Sequence, residues 1–437
     1  MIHLANILIV SDDPALGQEL LQKVRRHGYE GRTVGSQEAA LATARQEHPD
    51  TILLAEGPAT DPVAFAKALK EIPVCADIPI CLVAASRSPE LKALAVAAGI
   101  DDVLSPPLDD NKLVARLRPL VRLAIMCAEL HQRGATARHF GVDIGPFPPR
   151  VTVEADYPLL VVGAPAANEI KVLSGAKVTI AANPYEADDL LGRGNFDASL
   201  VLPVGEVAPY LDLCAHIRNN PRLFNLPVLV LAEAGNVSES VAYHHGANGY
   251  FNRPVNPVEL KSSVLTLVRR QRFRWTIREA LGRTLQGLSR DAATGVYNRA
   301  FLDRYLEARV GFAASHGRHL SIMFFRVPDV EGIRLRFGEE QAEHLRLQVA
   351  QWITGLLRGE DLTARYEENE FCVVLPDTPK AEAEIVMNRI AGVLAYTDFA
   401  VKEVYEPVKV WVRVGAADLQ PDDDVGSLVG RARSDML

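Results

Sequence analysis

The chain has 437 residues, 48% of them hydrophobic, with a formal net charge of -8 at pH 7. At roughly 100 to 200 residues per domain this length suggests about three cores, and the acidic balance excludes a general nucleic-acid binder, which needs a concentrated positive patch. No apolar run reaches the ~18 residues of a membrane span, and residues 1–10 lead into a strand without a basic flank or cleavage site, so a cytoplasmic protein with no membrane insertion is expected.

From the N-terminus, short β-rich apolar runs alternate with segments of helical period such as 15–27 and 89–98, the pattern of a parallel sheet flanked by helices. The pattern occurs twice. Segments 49–54, 78–85 and 99–107 recur in kind as 196–201, 226–233 and 246–254. Two tandem α/β copies are predicted, over 1–130 and 151–275, joined by a linker at 131–150 that Gly134, Gly141, Gly145, Pro146, Pro148 and Pro149 mark. Asn256 before Pro257 is a helix start. Ile277, Leu281, Leu285 and Leu288 extend that helix to about 289, with 276–290 as a linker helix that either lies on a domain or pairs in a dimer coiled coil. Its basic run, Arg269, Arg270, Arg272 and Arg274, reads as a solvated face or as a clamp on a nucleotide of the next domain. In the last segment, 291–437, a strand is expected at 321–327 and a helix at 339–357, with Leu345, Val349, Trp352, Ile353 and Leu356 on one face. A hairpin of 362–366 and 371–375 follows. Cys75, Cys81, Cys127, Cys214 and Cys372 lie far apart with no Cys-x-x-Cys pair, so reduced core thiols are expected and no metal site.

The two copies resemble the receiver domains of response regulators. That resemblance implies an acidic pair for magnesium, an Asp that takes a phosphoryl group, and a Thr and a Lys that respond to it. The first copy has the pair as Asp12 and Asp13, but Ala55 stands at the acceptor, Ala84 at the Thr and Pro106 at the Lys position. Phosphotransfer then lacks its nucleophile. Glu56, one place on, projects to the other side of the strand end. The second copy has Val162, Gly163 and Ala164 where acids would be, Leu202 at the acceptor, Ala232 at the Thr and Arg253 at the Lys position, and reads as an adaptor and dimerisation module.

Asp291, Thr294, Gly295, Asn298 and Arg299 match in register the opening of GGDEF domains, the diguanylate cyclase fold. The fold class implied is two flavodoxin-like (βα)5 receiver domains followed by an α+β, nucleotidyl-cyclase-like GGDEF domain. At the signature turn this chain has Glu367, Glu368, Asn369 and Glu370 before Phe371. The resemblance assigns the two metal-binding positions to Arg326 and Asn369 and the guanine-contacting ones to Arg334 and Glu343. Phosphoryl transfer needs metal ions to neutralise the transferring group, so no enzyme activity, metal or cofactor is expected. Arg358 and Asp361 stand just before the turn, where the resemblance implies an inhibitory site for cyclic di-GMP completed by Arg389. A guanidinium fork can donate to guanine O6 and N7 while a carboxylate accepts from its N1 and N2. A helix-end salt bridge between Arg358 and Asp361 is the alternative.

The domain order resembles that of PleD-like response regulators, and the altered turn is similar to that of catalytically silent, PopA-like members. This implies a cyclic di-GMP effector in bacterial cell-cycle or developmental signalling, homodimeric through its receiver domains, placed at a cell pole and recruiting protein partners. A ligand-independent scaffold and a residual cyclase or phosphorylated switch remain as alternatives. Residues 431–437 end before the family's last helix is complete, which puts that helix in question.

Overall fold

In the computed structural model residues 5–436 are described, apart from 87, 107, 151, 152, 154, 221, 403, 404 and 406; residues 1–4, Pro107 of the repeat and Leu437 thus lie outside the described residues. Strands β1 (Asn6–Val10), β2 (Glu30–Val34), β3 (Thr51–Ala55), β4 (Ile80–Val83) and β5 (Asp102–Leu104) form a parallel sheet in the order β2-β1-β3-β4-β5. Strands β6 (Tyr157–Gly163), β7 (Ala176–Ala181), β8 (Ala198–Leu202), β9 (Val228–Glu233) and β10 (Gly249–Arg253) repeat that winding as β10-β9-β8-β6-β7. Helices cover both faces of such sheets, which is why β3 and β8 are buried at every residue and apolar but for Thr51 and Ser199.

A third, antiparallel sheet has the order β12-β13-β11-β14, from β11 (Leu320–Arg326), β12 (Leu362–Glu367), β13 (Glu370–Pro376) and β14 (Arg413–Asp418). Side chains alternate along β11. Met323 and Phe325 meet Val349, Ile353, Met387 and Ile390 of the helices Glu339–Gly355 and Lys380–Tyr396. Ile322 and Phe324 face the other way, onto Phe301 and Leu302 of Arg299–His316 and onto Leu428 and Ala432 of Val425–Ser434. The last helix therefore forms, capped by Asp424, despite the doubt its short sequence raised. Trp352, expected on the apolar face, is 42% exposed, because it falls outside the buried stripe of Leu345, Val349 and Ile353.

Two expectations on connections change. Residues 131–139 belong to a continuous helix, Asp110–His139. Gly134 marks a close approach there and not a break, since a Cβ would stand 2.7 Å from the Ile144 side chain. The helix capped by Asn256, whose side chain accepts from the Val258 N–H, ends at Arg283, and Leu288 is exposed, off the face of Ile277 and Leu281. The chain divides into two compact units, one of residues 125–147 with 277–437 and the other of 5–124 with 148–276. Among the described residues no helix is long and apolar enough to cross a membrane.

Candidate nucleotide-binding loop

The Glu339–Gly355 helix ends just before the loop that enters β12, and this loop carries Arg358 and Asp361. It is a tight turn: the Asp361 N–H donates to the Arg358 carbonyl, and the Arg358 N–H donates back to Asp361 Oδ2 at 2.8 Å. Asp361 Oδ1 is buried and has no hydrogen-bond partner among the described residues. Burial, then the neighbouring Glu360 charge, push the Asp361 carboxyl up to about 7, against the opposing pull of Arg358 and Arg133. Among the described residues the Arg358 guanidinium makes no hydrogen bond or ion pair, so in place of the helix-end salt bridge weighed as the alternative the two residues are joined by the main-chain turn. Arg389, on the Lys380–Tyr396 helix, donates to the Leu356 carbonyl at 3.0 Å. Partial burial, then repulsion from Arg358, lower its pKa while Asp361 opposes, so the three groups share one neighbourhood.

Arg133, which no sequence pattern singled out, holds this loop from behind. Its guanidinium donates to the Glu360 carbonyl and, at 3.5 Å, to that of Gly359. It is anchored in turn by Glu129, fully buried, which pairs with Arg133 at 3.2 Å and with Arg309 at 3.3 Å and accepts from the Tyr305 hydroxyl at 2.6 Å. A sequence separation of 227 residues hid the contact; only the Glu129/Arg133 spacing of four in a helix was legible.

The signature turn is organised differently. Glu367 pairs across to Glu370, so Glu368 and Asn369 form a two-residue loop, with a bulge between Arg365 and Glu367. Neither loop residue has positive φ, so the turn closes without glycine. Arg346, 1% exposed, donates to Asn369 Oδ1 and to Glu368, each at 2.9 Å, and to Glu339 at 2.6 Å. Arg326 lies 3.1 Å from Glu370 and 3.5 Å from Glu367, and Arg433 binds the same two carboxylates at 2.8 and 2.7 Å. Arg334 is taken by Glu331, and Glu343 is an exposed position on its helix. Asp291 pairs with Arg365 at 3.3 Å, and Arg299 stacks 3.5 Å over the Tyr366 ring. The donor set does not fit a magnesium ion: one position is itself a cation and the other an amide whose oxygen already accepts from Arg346.

The receiver positions are likewise occupied by internal partners. Asp13 caps its helix, Asp12 accepts from the Ala59 N–H at 2.9 Å, and Glu56 from the Ala85 N–H at 2.8 Å; Ala55 and Ala84 are buried, and Pro106 is exposed. In the second copy Arg253 binds Glu169 through two hydrogen bonds, of 2.9 and 2.7 Å, an acid that the sequence reading overlooked. Among the described residues no cluster of three His, Cys, Asp or Glu could hold a metal. The basic run is neither solvated nor extended: Arg269 donates to the Val96 carbonyl, Arg270 to Asp102, Arg272 to Asp197 and Arg274 to the Pro119 carbonyl, all within the 5–276 unit.

With this geometry in view, comparison with known proteins is informative. Residues 288–437 match the model of the diguanylate cyclase GGDEF domain, and residues 7–118 that of the response regulator receiver domain. One chain carries both a receiver domain and a GGDEF domain. Over 430 residues, 96% of this chain and 93% of the relative, it is 28% identical to the response regulator PleD of Caulobacter vibrioides. Its N-terminal part is similar to the transcriptional regulatory protein BaeR of Escherichia coli, 32% identical over 130 residues, 30% of this chain and 53% of that one. Among solved structures, the GGDEF domain of DgcB from Caulobacter crescentus in complex with c-di-GMP matches 34% of this chain and 85% of that chain, at 19% identity and a TM-score of 0.33. The order of these matches is similar to the organisation of the response regulator PleD.

Proposed function

We propose that the chain is a non-catalytic cyclic di-GMP effector, similar in this to PopA-like proteins, that binds the dinucleotide at Arg358, Asp361 and Arg389 and recruits protein partners. The observation that carries this reading is the buried Asp361 Oδ1, which has no hydrogen-bond partner while the Arg358 guanidinium is unengaged. Guanine supplies what these groups lack: N1 and N2 donors for the carboxylate, and O6 and N7 acceptors for a guanidinium fork. An unmade hydrogen bond at a buried acceptor costs about 1–3 kcal/mol, which a ligand can recover.

At the signature turn Arg326 and Asn369 stand where the resemblance places metal ligands, and the remaining carboxylates are already neutralised by arginines. A triphosphate arriving there would meet no metal to screen it, so cyclase turnover is absent in this reading. On the modular division 1–130, 151–275 and 291–437, the receiver copies act as the dimerisation and docking surfaces, without phosphotransfer. Isothermal titration of the full chain with cyclic di-GMP tests the proposal. Wild type binds at micromolar or tighter affinity and Arg358→Gly abolishes it; equal binding by both rules the site out.

A further inference from the structure

The unit of residues 5–124 and 148–276 contains a cavity of about 620 Å³, with no aspartate or glutamate among the described residues that line it. Five arginines line it: Arg118 and Arg122 from the Asp110–His139 helix, Arg218 from Ala208–Asn219, and Arg270 and Arg274 from Pro257–Arg283; three histidines join them. In a chain of net charge -8 this concentration of one sign is local, and concave low-dielectric walls focus it.

At Arg118 and Arg218 the cavity presents charge that meets no carboxylate among the described residues. Among the described residues Arg218 donates to neutral oxygens alone, the carbonyls of Gly246, Phe224 and Leu226 and the Asn248 side chain. Burial depresses its pKa to about 10; Cys214 opposes the shift and Arg122 and Arg270 add to it. Arg270 reaches Asp102 only at 3.4 Å, and that carboxylate is already held by both arms of Arg116. Among the described residues Arg118, exposed at the rim, makes no hydrogen bond or ion pair. The Arg122 guanidinium carbon stands 4.8 Å from the centre of the Phe224 ring.

We propose that this cavity binds a phosphate-bearing small molecule of nucleotide size, its phosphate groups held by Arg118, Arg122 and the buried charge of Arg218. Planar guanidinium forks match phosphate oxygens bidentately, several adjacent forks call for more than one anionic group, and the volume falls within the usual ~300–1,000 Å³ of ligand sites. The site is separate from the 358–361 loop and does not rest on the proposed function.

The test is titration of the full chain at low ionic strength with pyrophosphate and with GTP, both without magnesium. Wild type should bind each probe, whereas Arg118→Glu combined with Arg122→Glu should weaken binding of pyrophosphate, which offers no guanine edge to the 358–361 loop, at least about tenfold, as loss of charge-assisted pairs requires. If the double variant does not fold, Arg118→Ala, at an exposed position, carries the same comparison. Absence of binding by wild type up to millimolar probe, or equal binding by wild type and the arginine variants, overturns the proposal.

Discussion

Two neighbouring stretches of the GGDEF domain, the 358–361 loop and the 367–370 turn, are both crowded with charge, yet they satisfy it in opposite ways. At the turn each glutamate and Asn369 has an arginine: Glu367 and Glu370 share Arg326 and Arg433, and Glu368 and Asn369 share Arg346. At the loop a buried carboxylate oxygen has no partner and the nearest guanidinium is unengaged, although both lie within reach of one another's field. A protein tends to satisfy its buried polar groups, so a site that leaves them open is strained toward a ligand, and one that closes them has exchanged binding capacity for stability.

The largest effect should therefore come from Asp361. Asp361→Asn retains an acceptor for the Arg358 N–H but offers guanine one acceptor in place of two and no charge. Cyclic di-GMP affinity should fall about 100-fold, in line with loss of a charge-assisted pair. At pH 8 the same change should raise the melting temperature, since it removes a carboxylate that burial disfavours. A variant that loses stability and keeps its affinity would make the carboxylate structural. Next is Arg133→Ala, which touches no ligand in the proposed site. It should cost about 2–3 kcal/mol of stability by leaving Glu129 short of a partner, and lower affinity about tenfold by freeing the Gly359 and Glu360 carbonyls. An Arg133→Lys variant that restores stability but not affinity would separate the fork's positioning of the loop from its charge.

How far this contrast was visible beforehand follows from the range of the interactions. Chain-local patterns carried the fold: short, mostly apolar runs gave β3 and β8 as strands of a helix-flanked parallel sheet, and the pairing of 362–366 with 371–375 as a hairpin gave β12 and β13. Motif spacing likewise brought Arg358 and Asp361 to one turn. What a local pattern does not encode is a partner on another element, so Arg133 behind the loop, 227 residues from Glu360, went unseen, as did Arg346 under the turn and Glu169 against Arg253, 23 and 84 residues from their partners. Leu288 and Trp352 show the converse error, in which helical spacing admitted apolar residues that the final packing left outside.

The contrast also has a pH dependence. Because the Asp361 carboxyl is raised to about 7 from the ordinary 3.8, the folded chain holds that proton more tightly than the unfolded one. Stability contributed by the proton is present at low pH and is lost as pH rises from about 4 through 7. A ligand that accepts only the ionised form reverses this locally, so affinity should rise about tenfold between pH 6 and pH 8 as Asp361 goes from mostly protonated to mostly charged. Titrations at the two pH values check it. A flat profile in wild type, matching that of Asp361→Asn, would remove Asp361 from the ligand contact.

The smallest effect should be found where the charges are closed. Replacing Glu367 and Glu368 by glycine brings back the usual residues of the motif and removes two exposed carboxylates from their arginines, at 45% and 59% side-chain exposure. Exposed pairs are worth about 0–1 kcal/mol each, and Arg346 keeps Asn369 and Glu339, so stability should change by no more than about 1–2 kcal/mol. GTP should still not be converted, because Arg326 and Asn369 remain where the resemblance places metal ligands, and backbone freedom does not supply the missing charge. Product chromatography after incubation with GTP and magnesium decides between the two determinants. If the glycine pair alone produced cyclic di-GMP, the proposed loss of turnover would rest on the bulk of the turn and not on Arg326 and Asn369.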